Sequence, residues 1–111
     1  MKVAVVGSRG FDDYGRLKAV LDGFNVTTIV SGGAKGADLL GERYADENNL
    51  EKLIFLPDWG THGRAAGFVR NQDIIDNADM VVACWDGKSR GTRDSMKKTH
   101  QQKKNLMIIY F

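Results

Sequence analysis

The chain has 111 residues, 42% of them hydrophobic and 27% charged, which describes a globular domain and excludes a disordered segment. Its net charge of +2 permits contact with phosphates but does not demand nucleic acid. A single cysteine, Cys84, rules out an internal disulfide, and with only two histidines beside it no metal site is expected.

No apolar run approaches the ~20 residues of a membrane span. The first residues enter a strand pattern without a leader's basic region and cleavage site, so a cytoplasmic location and no membrane partner are expected. The length is near the commonest domain size, and no repeat, linker or low-complexity tract interrupts it. Residues 1–111 are therefore expected to form one domain.

In chain order, residues 3–6 (VAVV) form a continuous apolar run, as strands covered on both faces do. The turn GSRG follows, and then residues 14–24, where Leu17, Val20, Leu21 and Phe24 recur at helical spacing. A second run at 26–30 leads into SGGAKG and a helix over 36–48, with Ala37, Leu40, Tyr44 and Ala45 inward. A third run at 53–56 precedes the polar and aromatic loop PDWGTHGRAAGFVRNQD. The spacing predicts a helix over 64–77, with Gly67, Phe68, Ile74, Ile75 and then Ala78 inward. A fourth run at 80–83 leads to WDGKSRGT and a helix over 92–104, whose inner face is Met96 with Thr99 and His100. The fifth run, residues 106–111 (LMIIYF), ends the chain.

Strict alternation of strand and helix predicts an α/β fold of Rossmann-like three-layer α/β/α type, with a five-stranded parallel sheet. Strand order 3-2-1-4-5 is expected, with 2-1-3-4-5 as the alternative. In the first order the apolar fifth strand is an open edge, and a bare edge invites association, so a homo-oligomer is expected.

In such a sheet, ligands bind beyond the carboxyl ends of the strands where strand order reverses. Three glycine-rich turns follow the strands at that place. Their backbone N–H groups, at helix entrances, suit phosphate or another anion. The first turn offers Gly7, Ser8 and Arg9, and the second Ser31, Gly32, Gly33, Lys35, Gly36 and Asp38. The third offers Trp85, Gly87, Ser89, Gly91 and Thr92, with Lys88 and Arg90 as further cations. The loop after the third strand adds Asp58, Trp59 to stack on a base, and Arg70 and Asn71 from its helix. Gly33→Val is expected to abolish binding with little loss of folding, and Ser95→Ala to change nothing. Tight turns and helix caps explain single members of this set equally well. Neither GxGxxG nor a P-loop ending in GK[ST] occurs, which disfavours NAD-dependent hydride transfer and ATP hydrolysis.

Together, KVAVVGSRGF, IVSGGAKGADLLGERYA, PDWGTHGRAAGFVRN and ADMVVACWDGKSRGT resemble the small bacterial and phage YspA-type (cpYpsA-related) members of the SLOG superfamily. That superfamily also holds the LOG phosphoribohydrolases and DprA. The resemblance spans nearly the whole chain and implies binding of a nucleotide or nucleotide-derived ligand, in a sensing or sequestering role. It requires no cofactor and leaves open whether magnesium accompanies the phosphates. In LOG enzymes, an arginine and the glutamate of PGGxGTxxE serve cleavage of the N-glycosidic bond. Arg70 falls at the arginine's place, and Gly91 and Thr92 are kept, but the glutamate's place holds Ser95. Serine supplies no carboxylate for acid–base work. Arg70 and Asp38 are the candidates if the protein is a nucleotide-processing hydrolase, the alternative to binding alone. A DNA-associated module ranks below both, because aromatics do not interleave with dense basic charge, and nucleic acid is an unlikely partner on this reading.

Overall fold

The computed structural model describes residues 1–111. Strands β1 (Lys2–Gly7), β2 (Thr28–Ser31), β3 (Glu51–Ile54), β4 (Met80–Trp85) and β5 (Asn105–Tyr110) form one sheet in the order β3-β2-β1-β4-β5, every pair parallel. This is the Rossmann-like order expected from the sequence, and the reversal of direction falls between β1 and β4. Helices α1 (Tyr14–Leu21) and α2 (Ala37–Glu47) join the strands of one half. A short helix α3 (Trp59–His62), a 3₁₀ turn (Gly63–Ala65) and α4 (Ala66–Asp76) lead into β4, and α5 (Arg90–Gln101) links β4 to β5.

Alternate residues of the central strands supply two cores. Val3, Val5, Ile29, Val82 and Cys84 meet Leu17, Leu21, Tyr44 and Ala45 of α1 and α2. Ala4, Val6, Val30, Val81 and Ala83 meet Ile74 and Ile75 of α4 on the opposite face. Central strands covered on both sides carry apolar residues at every position, which explains their uninterrupted Val-rich runs. The outer strands differ. β3 is mostly exposed, and along the β5 edge Met107, Tyr110 and Phe111 remain open to solvent.

Several local expectations need correction. The loop after β3 contains α3, four residues capped by Asp58, whose carboxylate accepts from the Thr61 N–H at 3.1 Å. The inner face of α5 is Thr92, Ser95 and Thr99, whereas His100 is exposed and Met96 only half-buried. A hydroxyl survives there by bonding to its own helix: Thr99 Oγ1 donates to the Ser95 carbonyl at 2.7 Å. Phe68 turns outward, 45% exposed, and does not join the core. No helix is long and apolar enough to cross a membrane.

Cys84 is fully buried in β4, and burial pushes its thiol up to about 12. A disulfide reagent at pH 8 should therefore leave the native protein unlabelled and label it only at the rate of unfolding. Rapid native labelling would contradict this packing.

Candidate functional site

A cleft of about 280 Å³ opens at the β1–β4 reversal. Gly7 and Arg9 of the β1 turn, Ala34 and Asp38 of the β2–α2 turn, and Ser89, Gly91, Thr92 and Ser95 of the α5 entrance line it. Trp59, Arg64, Gly67, Phe68, Arg70, Asn71 and Ile74 close the side formed by α3 and α4. Three arginines thus surround a space with one carboxylate, and Trp59, 60% exposed, stands at its rim with Phe68. Arg9 and Arg64 are exposed and make no hydrogen bond or ion pair with the protein.

Asp38 is the central residue. It lies in the first turn of α2 and is 5% exposed. Its Oδ2 accepts the N–H groups of Gly32 at 3.1 Å and Ala34 at 3.3 Å, while Ser31 Oγ accepts that of Gly33 at 3.2 Å. Burial raises the Asp38 carboxyl to about 6, against the opposing pull of the Ala34 and Gly32 amides and the Arg70 charge. A carboxyl titrating near neutrality can act as a general acid or base. Arg70 Nη1 donates to the Gly32 carbonyl at 2.7 Å and Arg70 Nε to Asn71 Oδ1 at 3.2 Å. Asn71 Nδ2 in turn donates to Asp94 Oδ2 at 3.1 Å and to the Gly91 carbonyl at 3.3 Å. This chain of contacts ties α4 both to the β2–α2 turn and to the start of α5.

The idea that the glycine turns present bare amides is corrected by these bonds. After β2, Asp38 and Ser31 take the amides themselves. After β4, Asp86 Oδ1 accepts from the Lys88 and Ser89 N–H groups at 2.8 Å each, and Ser89 Oγ caps Thr92. The Ser89 and Lys88 amides hold the Asp86 carboxyl below its ordinary range. What remains are the opening of α5, where Arg90 and Gly91 have no intrahelical acceptor, and that of α2, whose N-cap Gly36 supplies no side-chain cap.

Of the residues expected to touch ligand, Gly7, Arg9, Asp38, Trp59, Arg70, Asn71, Ser89, Gly91 and Thr92 share the cleft, and the others lie elsewhere. Ser8 is buried, its Oγ accepting from the Asp86 N–H at 3.3 Å, so that it joins two turns. Ser31 is buried against Glu42, at 3.0 Å. Gly32 backs onto Arg70 and Asp38, and Gly36 onto the carbonyls of Ser8 and Arg9. Gly33 (φ +71) faces Leu56, where an added Cβ would lie 2.8 Å from Cδ2, so valine there strains the fold as well as any binding. Lys35 is exposed and does not line the cleft, Asp58 caps α3, and Gly87 (φ +81) forms the turn that Asp86 closes. Trp85 donates Nε1–H to the Ser89 carbonyl at 3.1 Å and packs against Tyr110, behind the α5 entrance.

The sequence reading missed Arg64, Phe68 and Ser95 as cleft residues. Positions 64, 67, 68, 71 and 74 recur every three or four residues, so one helical face carries most of the wall, and that signal was available. Asp94, next to Ser95, is turned to Asn71 and Lys98 and lends the cleft no carboxylate.

Fold and cleft define a Rossmann-like α/β domain with a cationic pocket at its topological switch point. More narrowly, the chain belongs to the YspA, cpYpsA-related SLOG family, whose family model matches residues 1–62. It is 35% identical over 89 residues to the Gene 61 protein of Mycobacterium phage D29, an alignment covering 75% of this chain and 70% of that protein. Among solved structures it is similar to DNA processing protein A (DprA) from Streptococcus pneumoniae, with TM-score 0.78, 21% identity and 96% of this chain covered. It is also similar to DprA from Helicobacter pylori, with TM-score 0.77, 22% identity and 97% covered. The chain spans 49% and 64% of those two proteins, and at such identities the likeness establishes the fold alone. The view of nucleic acid as an unlikely partner is nonetheless withdrawn. The H. pylori protein, with the same fold, has a described single-stranded DNA binding mode, so the fold does not exclude nucleic acid.

Proposed function

We propose that the cleft binds a nucleotide or nucleotide-derived ligand, in a sensing or sequestering role. The observation that carries this reading is the pair of unpartnered guanidiniums, Arg9 and Arg64, on a cleft that also holds the start of α5, with its free Gly91 amide, and an exposed tryptophan. Full positive charge and free helix amides suit phosphate, and an aromatic rim suits a base. The volume, about 280 Å³, lies at the small end of ligand sites.

The test is thermal denaturation against a panel of nucleoside mono-, di- and triphosphates. A ligand at ~100 times its dissociation constant adds about 2.7 kcal/mol to stability. Arg9→Ala and Arg64→Ala should each weaken binding about tenfold, the value of one charge-assisted contact. A flat panel, or indifference to both arginines, rejects the reading. Free base or released phosphate in the same incubations would favour a hydrolase, with Asp38 as the carboxyl available in the cleft.

A second reading is favoured by the described single-stranded DNA binding mode of H. pylori DprA and by the exposed rim of Trp59 and Phe68. On it, the cleft holds one nucleotide of a strand. Affinity for an oligonucleotide should then exceed that for the monomer and fall steeply with salt.

A further inference from the structure

Within the nucleotide-binding reading, on which this step rests, we propose that the cleft selects ribonucleotides, with Asp38 accepting hydrogen bonds from the sugar hydroxyls. Asp38 is 95% withdrawn from solvent by the protein, being 5% exposed, yet only Oδ2 is engaged by protein donors. No buried side-chain polar atom in the molecule lacks a partner, so Oδ1 is not sealed in, and the open space that Asp38 borders is the cleft. A carboxylate oxygen held by its sister atom and aimed into a ligand cleft accepts hydrogen bonds and repels phosphate.

The sheet fixes what the donor must be. Along its carboxyl edge the cleft residues run in strand order: Trp59 beyond β3, Asp38 beyond β2, Gly7 and Arg9 beyond β1, and Ser89, Gly91 and Thr92 beyond β4. The ends of β2 and β4 lie roughly 10 Å apart, two strand spacings. The anion end is the β1–β4 side, because there Arg9 and the opening amides of α5 are unoccupied. At the β2 end the Gly32 and Ala34 amides are already taken by Asp38 and that of Gly33 by Ser31, and the Asp38 carboxylate itself stands in the first turn of α2, where it repels an anion. A ligand with its base at Trp59 and its phosphate at Arg9 and Gly91 therefore places its sugar at Asp38. A vicinal diol offers two O–H donors, the chemistry by which an acidic residue reads ribose in other α/β nucleotide sites. The orientation narrows the expectation from the sequence, in which the turns after β1, β2 and β4 all suited phosphate.

The experiment compares matched ribo-, 2′-deoxy- and 2′,3′-dideoxynucleoside 5′-phosphates by calorimetry, on the wild-type chain and on Asp38→Asn, with inorganic pyrophosphate as a probe of the anion end. Wild type should bind the ribo form at least tenfold tighter than the 2′-deoxy form and lose more with the dideoxy form. Asp38→Asn should shrink that ratio to threefold or less while binding pyrophosphate at least as well as wild type. Equal affinity for ribo and deoxy forms in wild type, or an unchanged ratio in the variant, overturns the ribose assignment and leaves nucleotide binding standing. Tighter binding of an oligodeoxynucleotide than of its ribo counterpart overturns it too. Failure of every nucleotide to bind overturns both.

Discussion

Gly36→Ala should cost this protein about 3 kcal/mol or more and lower its melting temperature by well over about 10 °C. Gly36 has φ +85 and ψ −128, a region that side-chain-bearing residues hardly visit. The added Cβ would lie 2.5 Å from the Ser8 carbonyl oxygen and 2.6 Å from that of Arg9. Both neighbours are backbone, so no rotamer change relieves the contact. Relief requires parting the β1 turn from the start of α2, and that junction also holds Gly7 against Ala37, where a Cβ would lie 2.6 Å from the alanine's own. The junction fixes Asp38, one residue beyond Ala37, so ligand binding should fall with stability. Gly15→Ala in α1 is the control. Its Cβ would meet nothing nearer than Asp13 Oδ1 at 3.9 Å, and replacing a helical glycine should stabilise by about 0.5–1 kcal/mol. Urea denaturation of the two variants checks both signs. A Gly36→Ala protein as stable as wild type would mean that the two turns do not touch.

The contrast between these glycines shows what a sequence carries. Strand order and the edge that carries the cleft were legible because Val-rich runs and glycine turns alternate, and a parallel sheet with right-handed crossovers leaves few arrangements. The cleft lies where that reasoning put it. Less legible was why the turns are rich in glycine. Gly32, Gly33 and Gly36 make room for Arg70, Leu56 and the β1 turn, and all three neighbours are distant in sequence. Nor does local sequence reveal that Asp38 reaches back six residues to the Gly32 amide, since an acid in a first helical turn ordinarily caps its own helix. The inner face of α5 was obscured for a related reason. Thr92, Ser95 and Thr99 read as polar, but the Thr92 hydroxyl pairs with the N-cap Ser89 and the Thr99 hydroxyl with the Ser95 carbonyl, so that both can be buried. Helix α3 has four residues among glycines, and its one local sign is Asp58 three positions before Thr61.

Asp38→Asn should make the protein more stable at pH 8, by about 3 kcal/mol, and leave it unchanged below pH 4. The Asp38 carboxyl titrates at about 6 in the fold against 3.8 as a free side chain, because burial disfavours its charge more than the Ala34 and Gly32 amides and Arg70 restore it. Between those two values the native state binds more protons than the unfolded state, so stability falls as pH rises. The loss starts above the unfolded value and is complete once the pH has passed the folded one. Each pH unit of difference is worth about 1.4 kcal/mol, which gives the expected total. Asparagine keeps an acceptor for the Gly32 and Ala34 N–H groups and removes the charge, so it mimics the protonated acid at every pH. Melting temperatures of the two proteins should therefore converge at pH 4 and separate by on the order of 10 °C at pH 8. A variant less stable than wild type at pH 8 would show that the carboxylate supports the fold by more than its hydrogen bonds. If the expected sign is found, the fold tolerates a charge that destabilises it, at the one place where the carboxylate borders the cleft. Retention of such a charge is what a binding role requires and what packing alone would remove.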